Sequence, residues 1–420
     1  MKNSGKHTFT YVTLMLAGEV VFLLPFVVTR IFRPTFLEVF QIDNFQLGSA
    51  FSVYGIVAML SYFFGGPLAD RYSPRLLLTI SLLATGTVGF VMASIPSLLT
   101  LTILYGFWGM TTILLFWAAY TKATRILGGH SGQGRAYGLV DGGRGLVAAA
   151  IATTSVSLLA WWLPDEASSA STPELTKALS GVIRLFSLVT IGTAALVWMV
   201  IRSSKDNIHT ARPTWEGVKT VIKLPSVWRQ AVILLCAYVA YKCTDDISLY
   251  AYDVLSMDDV EAAGLAAVVF WVRPVAAVLA GLVGDRWSIS NMISACFSLI
   301  IICSLLLALG ILANSAILLV TIIIAVMCAG IFGLRALYYA LFQESQLPLS
   351  LTGSAVGVIS VVGFTPDVFF GPVIGYVLDN YPGATGHQYL FAILGGFAFL
   401  GLIMALMKIA PSNIDAYSSE

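Results

Sequence analysis

Twelve stretches of roughly twenty mostly apolar residues follow one another along this chain, and each is long enough to cross a bilayer as a helix. The runs fall at 9–33, 46–67, 75–95, 98–121, 136–162, 178–201, 231–254, 262–284, 291–312, 314–342, 353–378 and 388–409. Hydrophobic residues make up 58% of the 420 positions and charged residues only 11%. An ordinary soluble domain carries about 25% charged residues. A soluble fold could not hide this much apolar surface. The pattern predicts an all-α membrane protein with twelve transmembrane helices. The opening Met1–Thr10 is too polar for a cleaved signal, so the first apolar run is expected to stay as a helix.

Charge orients these helices. With the N-terminus inside, 15 of the 23 basic residues fall on the cytoplasmic side, including Lys2, Lys6, Arg71, Arg75, Lys122, Arg125, Arg135, Lys205, Arg212, Arg229 and Lys408. Arg33 and Lys177 fall outside, where Glu38, Asp43, Asp165, Glu166, Asp258, Asp259 and Glu261 make the loops acidic. Basic residues favour the cytoplasmic face, so both termini are expected there, in a cell inner membrane. The net charge of +1 gives no field for nucleic acid. The five cysteines all lie in apolar runs with no CxxC pair, and read as small hydrophobes rather than disulfide or metal partners.

The chain also repeats itself. Gly66-Pro67-Leu68-Ala69-Asp70-Arg71-Tyr72-Ser73 returns 215 residues later as Gly281-Leu282-Val283-Gly284-Asp285-Arg286-Trp287-Ser288, each copy closing an apolar span. The spacing is about half the chain. It implies two pseudo-symmetric six-helix bundles, 1–201 and 231–420, the second with a short cytoplasmic tail, joined by a cytoplasmic linker over 202–230.

The run GGPLADRYSPR resembles the signature of the major facilitator superfamily between its second and third helices, with Gly66, Leu68, Asp70, Arg71 and Arg75 matching, Ser73 in place of glycine and Pro74 in place of a basic residue. Its D-R-x-x-P-R form is similar to the organophosphate:phosphate antiporter branch. The resemblance implies a secondary transporter working by alternating access. It also implies a cytoplasmic latch built from Gly66, Asp70, Arg71, Arg75, Asp285 and Arg286. Physically, the glycine allows close helix approach and Asp70 can accept from free amides at a helix N-terminus.

Ionisable residues inside a membrane are costly, so each is a candidate for function. The cations are Arg30, Arg144, Arg184, Lys242, Arg273 and Arg335, and the carboxylates Glu19, Asp141, Asp245, Asp246 and Asp367. All four histidines fall in expected loops or tails. Arg30 lies 40 residues before Asp70 and Lys242 lies 43 before Asp285, so the repeat relates them to within a helical turn. VVTRIFRPTFL and AYKCTDD resemble the segments whose two arginines hold phosphate in the organophosphate antiporters, with lysine replacing the second arginine. Lysine keeps the charge and loses the bidentate fork. The residues alone leave Arg30 as a site cation or a snorkelling one, and Lys242 as a site cation or a partner of Asp245 and Asp246.

Glu19, mid-span among apolar residues, suits a proton carrier or a structural carboxyl. Asp367 lies between Pro366 and Pro372, which should disturb the eleventh span. Arg273, before Pro274 in mid-span, favours a site role, whereas Arg335 shares a face with Tyr338 and Tyr339 as an anchor or a snorkeller. In the fifth span Gly134, Gly138 and Gly142 form a G-x-x-x-G face, and Asp141 pairs with Arg144 three residues on. The glycine–proline motif of many drug antiporters is absent from this span. Arg273 is similar to the eighth-span arginine of nitrate porters, but the second span has no intramembrane arginine to match it.

No H-E-x-x-H, G-x-S-x-G or P-loop occurs, so no enzyme and no cofactor is expected. Two readings remain open. One is a monomeric carrier of a small organic anion, its charge met by Arg30, Lys242 and Arg273, with protons or a counter-anion as co-substrate. The other is a proton-coupled symporter of a neutral or zwitterionic nutrient using Glu19, Asp245, Asp246 or Asp367.

Overall fold

The computed structural model describes residues 2–128, 133–163, 170–201, 215–312, 315–338 and 349–407. Residues 202–214 of the expected linker, with Lys205 and Arg212, lie outside the described residues, as do Tyr339 and the tail with Lys408. The described chain is helical without strands.

The first span does not run straight. Helix α1 (Lys2–Val20) gives way to a π turn at Leu23–Val27, then to the short α2 (Val28–Ile31) and α3 (Arg33–Phe40). Pro25 has no N–H for the carbonyl four residues back, and the helix widens so that the Val27 amide reaches the Phe22 carbonyl at 3.2 Å. Between Thr8–Val20 and Leu23–Ile31 the axis bends by 42°. Helix α4 (Asn44–Arg71) opens on a capping box between Asp43 and Gln46, and α5 (Pro74–Met92) on Ser73 with proline in the first turn. Helix α6 (Leu98–Gly109) passes through a second π segment, Met110–Trp117, into α7 (Ala118–Gly128). Helices α8 (Gln133–Trp162) and α9 (Thr172–Val200) are unbroken.

After the short α10 (Trp215–Ile222), the seventh expected span is broken. Helix α11 (Pro225–Lys242) ends in a 3-10 turn at Cys243–Asp246, and α12 (Ile247–Asp253) resumes. Helices α13 (Asp259–Trp287), α14 (Ile289–Ala308) and α15 (Ile317–Leu337) follow. The eleventh span is split at Pro366, into α16 (Leu349–Gly363) and α17 (Pro366–Asn380), whereas Pro372 lies inside α17 without breaking it, and α18 (Ala384–Leu406) ends the described chain. Among the described residues, ten helices are long and apolar enough to cross a membrane, or eleven with the bent first pair. The segment over 225–253 is not among them: α11 stops at Lys242, and its first turns hold Pro225, Ser226, Arg229 and Gln230. Both copies of the repeat end long helices, α4 at Arg71 and α13 at Trp287.

Contacts divide the chain into two compact units. The larger is Met1–Asn207 with Asp245–Pro274 and Asp367–Ala384; the smaller is Ile208–Thr244 with Val275–Pro366 and Thr385–Glu420. In the larger unit the core packs Leu23, Leu24, Phe32, Phe36, Trp108 and Phe186 at full burial. In the smaller, Val227, Ala231 and Leu234 of α11 pack on Ala355 and Ile359 of α16. There Arg229 donates to the Met404 and Ala405 carbonyls at 2.8 and 2.9 Å, satisfying the C-terminal turn of α18. His387, expected in a loop, is buried in the first turn of α18.

Candidate functional site

The larger unit holds two clusters of buried charge. The first joins the last turn of α1 to the middle of α8 and of α13. Glu19 of α1 places Oε1 3.2 Å from Arg273 Nη1 of α13 and Oε2 3.4 Å from Arg144 Nε of α8. The three side chains are 5%, 5% and 7% exposed. Arg144 Nη1 also donates to Asp141 Oδ1 at 3.2 Å, and that carboxylate is 56% exposed. One carboxylate thus bridges two guanidiniums, with a second, wetter carboxylate beside them. Arg273 Nη2 is buried and makes no hydrogen bond among the described residues.

Small residues bring these helices together. Gly145 of α8 has Pro274 of α13 at 3.4 Å from where a Cβ would stand, and Gly143 faces the Met15 side chain of α1. Gly18, beside Glu19, faces the Tyr120 hydroxyl and the Arg144 stem. At Gly138 and Gly142 the expected glycine face meets no packing partner among the described residues, with open space where a Cβ would stand, and the side-chain surroundings of Gly134 lie outside the described residues. Close packing of α8 comes from the neighbouring glycines instead. The π segment before α7 turns Trp117 and Tyr120 toward Arg144, whose guanidinium carbon lies 5.9 and 6.0 Å from their ring centres. Hydroxyls feed that segment: Ser81 Oγ donates to the Thr111 carbonyl at 2.7 Å, and the Tyr54 and Thr112 hydroxyls lie 2.8 Å apart.

The second cluster lies at the acidic end of the same unit. Arg30 meets Asp245 Oδ1 at 2.5 Å, and Arg33 Nη2 meets Asp246 Oδ1 at 3.0 Å. Arg33 also donates to Asn44 Oδ1 at 3.1 and 3.2 Å. Thr35 Oγ1 donates to Asp259 at 2.5 Å, and Ser248 Oγ donates to the Arg30 carbonyl at 3.1 Å. Asp379 at the end of α17 accepts from the Asn44 amide and side chain and from the Phe45 amide, at 3.1, 3.0 and 2.8 Å. Below it, α4 and α17 touch backbone to backbone at Gly48 against Gly371 and Gly375 against Asn44, and Ser52 Oγ donates to the Val368 carbonyl. Gly55 packs on the backbone of Asp367, which sits half-buried in the first turn of α17. A cavity of about 490 Å³ beside this cluster is lined by Glu38, Asp43, Asp253 and Asp379 among others.

The remaining candidates lie elsewhere. Lys242, in the smaller unit, is buried in the last turn of α11. Arg335 stacks its guanidinium 4.1 Å from the Tyr241 ring centre. Arg184 is exposed in mid-α9. At the basic end, Asp70 and Arg71 are exposed, Arg71 lying over Tyr72 and Arg75 over Trp198 at 3.9 Å. Asp70 makes no hydrogen bond or ion pair among the described residues. Arg286 is exposed, Gly66 is open to its surroundings, and the Asp285 side chain lies outside the description. Sequence reasoning put Arg33 in an outer loop. It missed the role of Arg33, Asn44, Thr35 and Asp379, and it missed Trp117 and Tyr120. One signal was available: Arg30 and Asp245 are 215 residues apart, the spacing of the repeat, so they occupy equivalent positions with opposite charge.

The Major Facilitator Superfamily profile matches residues 14–366, most of the chain. The chain belongs to this superfamily. It is therefore a multi-pass membrane protein of a family of transporters rather than enzymes. It is similar to inner membrane protein YqcE of Escherichia coli K12, 26% identical over 99% of this chain and 97% of the relative. It is also similar to inner membrane protein YihN of the same strain, at 23% over 94% of each. Among solved structures it shares the fold of a mutant of the nucleoside transporter NupG, with a TM-score of 0.73 and 14% identity over 95% of this chain and 99% of that one. A mutant of the E. coli fucose:proton symporter FucP gives 0.59 and 15% over 95% and 98%.

Proposed function

We propose that this protein is a monomeric secondary active transporter of the inner membrane that carries a small organic anion by rocker-switch alternating access. The observation that carries the reading is the Glu19 cluster: two buried guanidiniums share one buried carboxylate, and Arg273 Nη2 has no hydrogen-bond partner among the described residues. Buried cations at mid-span mark solute sites, and planar guanidiniums suit an oxyanion with two free oxygens. The substrate cations in this reading are Arg144 and Arg273. Arg30, held against Asp245, belongs with Arg33, Asp246 and Asp379 to an outer gate. Sidedness follows from the basic residues: the end with Arg71 and Arg75 faces the cytoplasm.

A second reading has its own support. The cavity at the acidic end carries four carboxylates, which repel an anion and suit a neutral or zwitterionic solute brought in with protons. Thermal stabilisation of the purified protein separates the two. A ligand at 100 times its Kd adds about 2.7 kcal/mol, a clear melting shift. The anion reading expects shifts with carboxylates, sulfonates or phosphate esters, lost in Arg273→Gln. Shifts with sugars, nucleosides or amino acids alone, retained in Arg273→Gln, overturn it in favour of the second reading.

A further inference from the structure

We infer that Glu19 occupies the seat of the substrate's own oxyanion, and that each anion bound displaces Glu19, which leaves carrying one proton. The inference rests on the organic-anion reading. Glu19 lies between the two guanidiniums as a tethered carboxylate: Oε1 accepts from Arg273 Nη1 at 3.2 Å, whereas Oε2 lies 3.4 Å from Arg144 Nε in an ion pair without a hydrogen bond. The seat is not filled to capacity, because Arg273 Nη2 is buried without a hydrogen bond. A bidentate oxyanion takes both sides of that guanidinium, which Glu19, tethered to α1, does not.

Charge balance supplies the proton. The groups facing Glu19 are Arg144 and Asp141 from α8, Arg273 from α13, and Tyr120 from α7, whose hydroxyl reaches Gly18; from α9 the neighbour is Thr190, uncharged, beside Val20. Two arginines face Glu19 and the wetter Asp141. Adding a monoanion while Glu19 stays charged leaves an excess negative charge in a site with little water to screen it. One proton on the Glu19 carboxylate, taken from water, restores the balance and breaks no covalent bond. Substrate anion and proton then move together, and the loaded and empty sites carry equal charge.

The test is proton uptake on binding. Lactate and isethionate, a carboxylate and a sulfonate that stay ionised near neutral pH, are titrated into the full-length protein in weakly buffered detergent with a pH indicator. The expected result is about one proton taken up per anion bound, and anion affinity falling as pH rises. Glu19→Gln, which needs no proton to give up the seat, should bind both anions with no proton uptake and no pH dependence. Glu19→Asp keeps the acid and checks that loss of uptake is not misfolding. Anion binding without proton uptake in the wild type overturns this inference and leaves the anion reading standing. Failure of both anions to bind overturns this inference, and the anion reading falls with it when phosphate esters give no melting shift either.

Discussion

A guanidinium buried in a membrane protein is tolerated where a carboxylate is held against it, and Arg30 shows the consequence of that rule. Arg30 and Asp245 are 7% and 8% exposed, so removing one leaves the other charged in apolar surroundings. Arg30→Ala should destabilise the protein by roughly 3–5 kcal/mol, and Arg30→Ala/Asp245→Ala should recover most of the loss. Melting curves of the three proteins measure this. A double variant no more stable than the single one would show that the pair is not the cause. The charged residues were legible individually from the sequence, because charge inside an apolar run stands out. Their partners were not. Spacing relates Arg30 to Lys242 by family analogy, whereas the closer equivalence, at the repeat spacing itself, is to Asp245. Glu19, Arg144 and Arg273 come from three distant segments, and no local pattern announces that they meet.

At the scale of the element, the acidic end depends on how closely α4 and α17 approach. The Gly48–Gly371 contact is backbone against backbone, with no flexible side chain to yield. Gly48→Leu should therefore force the two helices apart, lowering the melting temperature and exposing Ser52→Cys to an impermeant thiol reagent. Unchanged labelling would contradict the packing account. Asp379→Ala removes three hydrogen bonds from the start of α4, two of them to backbone amides; loss of this charged acceptor should cost about 1.5–3 kcal/mol in chemical denaturation. The sequence marked the long helices well, through run length, and marked the break in the eleventh span through Pro366. It did not mark the break at Cys243–Asp246, where an unbroken span over 231–254 was expected, since that turn has no proline or glycine. The glycines of α8 were legible as a set, but which of them pack depends on neighbours from other segments.

At the scale of the molecule, alternating access requires the acidic end to open and close. Ser52 donates to the Val368 carbonyl, so cysteines at these two positions are close enough to test by cross-linking. In a background with Cys236, Cys243, Cys296, Cys303 and Cys328 replaced, Ser52→Cys/Val368→Cys joined by a short bifunctional reagent should stop transport, and reagent cleavage should restore it. Full activity in the cross-linked protein would mean that this end does not gate. The measurement closest to the central claim is counterflow in proteoliposomes, with lactate or isethionate inside and a labelled trace of the same anion outside. Wild-type protein should accumulate label transiently, Arg273→Lys should retain a fraction of that rate, and Arg273→Gln should accumulate none. Equal counterflow by wild type and Arg273→Gln would contradict an anion site at Arg144 and Arg273.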